Sequence, residues 1–188
     1  NLALGLAVMF LSRVLALQYF MNAIDNEAIL KRSKKSLLWN SLIFVVCFLT
    51  FFISILFSSG WAVDPNTGII TIEKYKYLHN LLQMPYVSIP LVIGVLLVLF
   101  GIYVGLFTKK DSKAIWYSGI GTVLTVLCLL LTVGWNNTSY YPSLADTQSS
   151  LTIYNSSSSL FTLKTMSVVS LLVPFVAAYI WYAWSSLN

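Results

Sequence analysis

Tyr86-Val-Ser-Ile-Pro-Leu-Val-Ile-Gly-Val-Leu-Leu-Val-Leu-Phe-Gly-Ile-Tyr-Val-Gly-Leu-Phe107 contains no charged side chain. As a helix rising about 1.5 Å per residue, it is long enough to cross roughly 30 Å of hydrocarbon. Stretches of similar character lie at residues 2–24, 37–57, 115–135 and 160–184. An open strand would leave its amides unpaired in lipid, and the alternating pattern of a membrane barrel is missing, so all five are assigned as helices. The expected fold class is all-α: a polytopic transmembrane helical bundle forming a single domain over residues 1–188.

Composition points the same way. Of the 188 residues, 58% are hydrophobic and 9% charged, with a mean hydropathy of +0.81, whereas soluble domains carry about 25% charged side chains. No charge falls within residues 36–63, 77–108, 114–145 or 165–188, which excludes a water-soluble fold. The chain opens with Asn1-Leu-Ala-Leu-Gly5 in an apolar run that lacks the basic flank and cleavage site of a signal peptide. It reads as the later part of a longer membrane chain.

Seven of the eleven basic residues fall in the connections 25–36 and 108–114: Lys31, Arg32, Lys34, Lys35, Lys109, Lys110 and Lys113. The connections 58–85 and 136–159 hold only Lys74 and Lys76, while Lys164 lies in the first turns of the last span and can snorkel outward. This asymmetry puts the basic connections and the C-terminus in the cytoplasm and the two long loops outside. Because the cations flank apolar spans, they signal membrane orientation and no nucleic-acid partner.

The loop 58–85 has a turn at Asp64-Pro-Asn-Thr-Gly68, followed by residues 69–77, which fit either a short interfacial helix or a strand. The loop 136–159 is polar and almost uncharged, with Tyr140, Tyr141 and Tyr154 interspersed. That composition argues against disorder and for packing on another element. Asn155 or one of the serines at 156–159 is the candidate N-cap of the last span.

Few residues can carry chemistry. His79 is the single histidine and Cys47 and Cys128 the only cysteines, which leaves no self-contained haem, zinc or iron–sulfur site, and hence no metal site and no catalytic residue. Both cysteines sit in apolar runs and read as small buried hydrophobes without a disulfide. His79, beside Asn80 in the outer loop, reads as a solvated or interfacial side chain. Pro85, Pro90 and Pro174 shape helix ends and kinks. Gly94, Gly101, Gly105, Gly119 and Gly121 permit close helix approach. Arg13 stands near the middle of the first span, where a charge costs several kcal/mol unless it meets water, a carboxylate or carbonyls. Its alternatives are an intramembrane polar partner, a bound polar head such as a quinone carbonyl, or a helix boundary shifted enough to let it reach the surface.

Two stretches go further: Ser150-Leu-Thr-Ile-Tyr-Asn-Ser-Ser-Ser-Ser-Leu-Phe-Thr-Leu-Lys-Thr-Met166, and the following segment with Pro174, Tyr179, Trp181 and Trp184. They resemble the C-terminal signature of subunit II of cytochrome bd-type ubiquinol/menaquinol oxidases. The matching positions are Ser150, Leu151, Thr152, Asn155, Ser158, Ser159, Thr162, Leu163, Met166, Pro174 and Tyr179, with structural roles implied. Pro85 with Ile89-Pro90, and Glu27-Ala-Ile-Leu-Lys-Arg32, agree. The family's Phe-Pro step in the second long loop is replaced by Trp135-Asn-Asn-Thr-Ser139, which leaves Pro142-Ser143 as the counterpart of the next Pro-Ser.

By this resemblance the spans are helices four to eight of eight. The chain is a haem-free membrane subunit, non-catalytic on its own, of a bacterial inner-membrane complex that couples quinol oxidation to reduction of dioxygen to water. Haems b and d, or b type only, belong to the partner subunit I. A structural quinone, membrane lipid and a small accessory single-helix subunit are further partners that the resemblance allows. The family's acidic proton-pathway residues and main contact helices lie in its earlier half. The alternative, from another class, is the C-terminal half of a secondary transporter, which would require paired polar residues or broken helices about a midplane site.

Overall fold

The computed structural model describes residues 2–24, 26–107 and 113–187. Five helices are long and apolar enough to cross a membrane, as the composition requires: α1 (Leu2–Ala23), α2 (Glu27–Leu56), α4 (Pro85–Phe107), α5 (Ala114–Gly134) and α7 (Leu160–Leu187). Between them lie β1 (Gly60–Val63), β2 (Ile70–Glu73), α3 (Lys76–Gln83), a single 3₁₀ turn (Thr147–Ser149) and the short α6 (Ile153–Ser156). Two compact units result, residues 1–152 and residues 153–188.

In the first unit α1 pairs with α2 and α4 with α5, and the two pairs meet chiefly through α2 with α4 and α1 with α5. One apolar cluster gathers Ala7, Val14 and Met21 of α1, Leu37 and Phe44 of α2, and Val98 and Ile102 of α4. A second, toward the other end of α4, joins Met84, Val87 and Leu91 to Cys128 of α5. Burial here is by helix faces, and α2, α4 and α5 keep largely apolar outer faces suited to lipid.

The tightest contact is between α4 and α5. A Cβ built on Gly94 would lie 2.7 Å from Thr125 Oγ1, and one on Gly121 would lie 2.7 Å from the Gly94 carbonyl oxygen. Gly101 faces Ser118 in the same way, one to two turns along. With no apolar driving force between helices in lipid, backbone proximity and dispersion hold them together, and only small residues allow it. Gly119 departs from the expectation of close approach, since nothing lies within 4 Å of its would-be Cβ. Being two residues from Gly121, it points about 200° away around the helix.

The basic stretch expected as a loop at 25–36 is helical from Glu27 onward. Asn26 explains the difference, because its Oδ1 accepts the amides of Ala28 and Ile29 at 3.0 and 3.3 Å, and Lys and Arg are good helix formers. Most of the second basic connection, 108–112, lies outside the described residues. Near the end of α4, a Cβ on Gly105 would meet Leu37 of α2, Ala114 of α5 and Gln18 of α1. The start of α2, the end of α1 and the start of α5 therefore share one end of the bundle.

The opposite end carries a cap. The stretch 69–77 is in part strand and in part helix: β2 pairs antiparallel with β1, and α3 begins at Lys76. Asp64 organises the turn between the strands, accepting the Asn66 amide at 2.9 Å and the Thr67 hydroxyl at 2.8 Å, and Gly68 supplies the required positive φ of 70°. The segment 136–152 packs on β1, with Val63 donating to the Asn137 carbonyl and Ser139 to the Trp61 carbonyl. In the second unit Ser159 precedes α7, and its Oγ accepts the Thr162 amide at 3.4 Å.

Gly121→Leu should lower the thermal unfolding midpoint of the purified complex, corresponding to about 1–3 kcal/mol of overpacking, whereas Gly119→Leu should leave it nearly unchanged. Differential scanning fluorimetry on the two variants in parallel checks this.

Candidate functional site

The cap is organised around Asn80, a fully buried side chain of α3. Its Nδ2 donates to the Thr132 carbonyl of α5 at 2.9 Å and to Thr138 Oγ1 at 2.8 Å. Its Oδ1 accepts from Asn136 Nδ2 at 3.1 Å, and Asn136 also donates to Gln83 Oε1 at 2.7 Å. Asn80 thus joins α3, the end of α5 and the 136–152 segment by saturating its amide. Asn136 and Asn137 take the left-handed conformation, at φ 56° and 51°, which Asn tolerates better than most residues.

Gln148 adds a second tie, reading the Ile70 backbone with both amide atoms: Ile70 N donates to Oε1 at 3.1 Å, and Nε2 donates to the Ile70 carbonyl at 2.9 Å. Beside it, His79 Nδ1 lies 2.7 Å from Glu73 Oε1, and Lys76 Nζ lies 3.4 Å from Glu73 Oε2. The His79 hydrogen bond, with smaller help from Lys76, holds the Glu73 carboxyl below the usual carboxylate range. His79 is therefore a partly exposed structural partner in the cap.

The family-motif residues divide between the two units. Ser150 is buried, and its Oγ accepts the Ser143 amide at 3.0 Å, while Leu151 exchanges backbone hydrogen bonds with Tyr141 and accepts the Ser139 hydroxyl at 2.8 Å. Thr152 is buried as well. Ser150, Leu151 and Thr152 thus close the cap on itself. In the second unit Asn155 lies in α6, and Ser158 and Ser159 lead into α7. Ser159 is the N-cap: its hydroxyl meets Thr162 Oγ1 at 3.0 Å and its carbonyl accepts the Leu163 amide at 3.0 Å. Met166, Pro174 and Tyr179 lie along α7.

Among the polar residues at lipid depth, Arg13 and Gln18 stand apart. Arg13 is exposed midway along α1, with its guanidinium carbon 5.8 Å from the Phe10 ring centroid. None of the six acidic residues belongs to α1, α4, α5 or α7, and α2 holds only Glu27, in its first turn. Gln18 is 1% exposed, among α1, α2, α4 and α5, and neither of its amide atoms has a hydrogen-bond partner among the described residues. Sequence reading missed Gln18 and gave Asn80 no role. For Gln18 a signal exists in the stripe Ala7, Val14, Gln18 and Met21, which is polar at one position; for Asn80 none does.

Two apolar spaces adjoin these helices. A cavity of about 150 Å³ lies among α1, α2, α4 and α5 and is lined by residues such as Ala7, Phe44, Val98 and Thr125. A groove of about 720 Å³ opens between α1 and α5, with Tyr19, Asn22 and Trp116 beside an apolar wall of Ile120, Val123 and Leu127. Cys47 and Cys128 are free thiols, and among the described residues no three His, Cys, Asp or Glu side chains converge on a metal-sized site.

Long apolar helices, a polar cap and polar groups held at lipid depth define a multi-pass membrane protein. The family model for cytochrome bd terminal oxidase subunit II matches residues 1–187, essentially the whole chain, and the chain belongs to that family. It is thus a subunit of an oxidoreductase complex, which stands against the transporter alternative. No curated protein matches it.

Asn80→Ala should leave the Thr132 carbonyl and the Thr138 and Asn136 side chains without their buried partner, at a cost of roughly 1–3 kcal/mol per orphaned group. The expected outcome is a lower unfolding midpoint together with faster chymotryptic cleavage at Tyr140 and Tyr141, followed by mass spectrometry.

Proposed function

We propose that this chain is the haem-free subunit of a quinol:dioxygen oxidoreductase, supporting a haem-bearing subunit I in a complex that oxidises quinol and reduces dioxygen to water. The observation that carries this is the place of the single imidazole: His79 lies in the cap, outside the long helices, with Nδ1 engaged by Glu73. Haem iron at membrane depth needs axial side chains projecting from the spans. The described spans hold no histidine, which supports assigning haems of b and d type, or b type only, to the partner.

The α1–α5 groove has the shape and apolar wall to receive an isoprenoid chain, with Tyr19, Asn22 and Trp116 as polar neighbours for a head group. A structural quinone held there would fill lateral space between helices. Membrane lipid and a small accessory single-helix subunit are the remaining partners of the proposed complex.

Orientation follows from charge. The four basic residues on the first turns of α2 and Lys113 at the start of α5 share one end of the bundle, and the cap with Lys74 and Lys76 occupies the other. Cations are retained on the cytoplasmic side of the bacterial inner membrane, which supports an outer position for the cap and a cytoplasmic one for the C-terminus.

Purified alone, the chain is expected to show no haem absorbance and no quinol oxidase activity, both of which return on co-expression with its partner; a haem spectrum retained by the isolated chain would overturn the assignment. In intact cells a membrane-impermeant maleimide should label Asn66→Cys and spare Lys31→Cys, and the reverse pattern would invert the topology.

A further inference from the structure

α1 presents two different faces. One, carrying Ala7, Val14, Gln18 and Met21, is buried against the rest of the first unit. The other carries Leu2, Leu6, Met9, Arg13, Ala16 and Phe20, every one of them exposed. Their spacing alternates four, three, four, three, four along the sequence. Residues so spaced form one row along the helix, and such a row can meet a second helix lying alongside at a shallow angle.

Arg13 occupies the middle of this seam. It lies about 16 Å along the axis from Leu2 and roughly 15 Å from Ala23 at 1.5 Å per residue, too far from either end for its side chain to bring the guanidinium fully into water. A cation at that depth on a lipid-facing surface is strongly disfavoured, and intramembrane arginines pair with a carboxylate or carbonyls inside a protein. The Phe10 ring offers only a weak partial partner at 5.8 Å. No carboxylate of the described spans lies at that depth. Ala16, one turn away, leaves room for a neighbouring backbone to come close.

We infer that this face of α1 is a docking seam for one transmembrane helix of the assembled oxidase, outside residues 1–188, which presents an acidic side chain at mid-membrane depth to Arg13. The cation at mid-membrane depth selects an acid-bearing protein helix over the apolar tail of a lipid or quinone. Arginine suits the role because its planar fork can hold both carboxylate oxygens at once. The inference rests on the chain being part of a multi-subunit oxidase, as proposed above.

A photo-reactive diazirine side chain placed at Met9 of the otherwise wild-type complex, irradiated in native membranes and read by mass spectrometry, tests the seam with Arg13 intact. The expected adduct is on a protein helix outside residues 1–188; adducts only with lipid or quinone, or with a second copy of α1, would overturn the inference. Arg13→Leu should reduce the yield of intact complex about ten-fold or more, because the partner carboxylate is left buried and alone. Arg13→Lys should recover part of it, and Arg13→Glu should be rescued by an acid→Arg change on the cross-linked helix. Wild-type yield and thermal midpoint in Arg13→Leu would show that the guanidinium is unpaired. A wild-type preparation that lacks haem would sink the proposed function while leaving the cross-link readable.

Discussion

Hydrocarbon offers no hydrogen bond, and the rest of the molecule follows from that. Each backbone amide within the spans must be paired inside its own helix, so the chain commits to long uninterrupted helices and confines irregular structure to their ends. Side chains obey the same rule. Thr50, Thr122 and Thr132 turn their hydroxyls back to the carbonyls of Val46, Ser118 and Cys128, at 2.7–2.8 Å, and Asn40 reaches the Ser36 carbonyl at 2.6 Å. Ser88, near the start of α4, donates its hydroxyl to the carbonyls of Met84 and of Leu81 in α3. A polar residue satisfied this way costs the membrane little and says nothing about function.

The cap shows what happens where the constraint relaxes. Outside the spans the backbone can form a hairpin, left-handed Asn residues and a 3₁₀ turn, but it has little apolar surface to hold these pieces together. Asn80 and Gln148 supply the missing cohesion with fully engaged amides, one joining α3 to α5 and the other joining β2 to the 3₁₀ turn. Amides suit this better than charges, because they serve as donor and acceptor at once without the desolvation penalty of an ion.

What the sequence could reveal tracks the same division. The five spans were legible because length and absence of charge are local properties. So was a cap before α7, although the sequence left it open between Asn155 and the serines at 156–159, of which Ser159 fills it. The helical start of α2 was not, because four cations suggest a loop until Asn26 is seen accepting two amides. Asn80 was illegible as a site, because its meaning depends on which elements pack beside it, and Gln18 showed only as the one polar position of an otherwise apolar stripe. Gly119 and Gly121 look alike in sequence and differ only in which side of α5 they face.

A comparison of α1 with α4 shows what polar residues at depth mean. The outward side chains of the middle of α4, among them Val92, Ile93, Leu96 and Phe100, are apolar, with Tyr86 and Tyr103 nearer its ends, and such a face can rest against lipid without cost. Its small residues are turned inward against α5. α1 instead carries Gln18 on its inner face and Arg13 on its outer one. The inner group is enclosed by the helices of the first unit; the outer one is not, although a charge demands enclosure more strongly than an amide does. A helix polar on two sides is built to lie between two protein surfaces, and the first unit supplies only one of them.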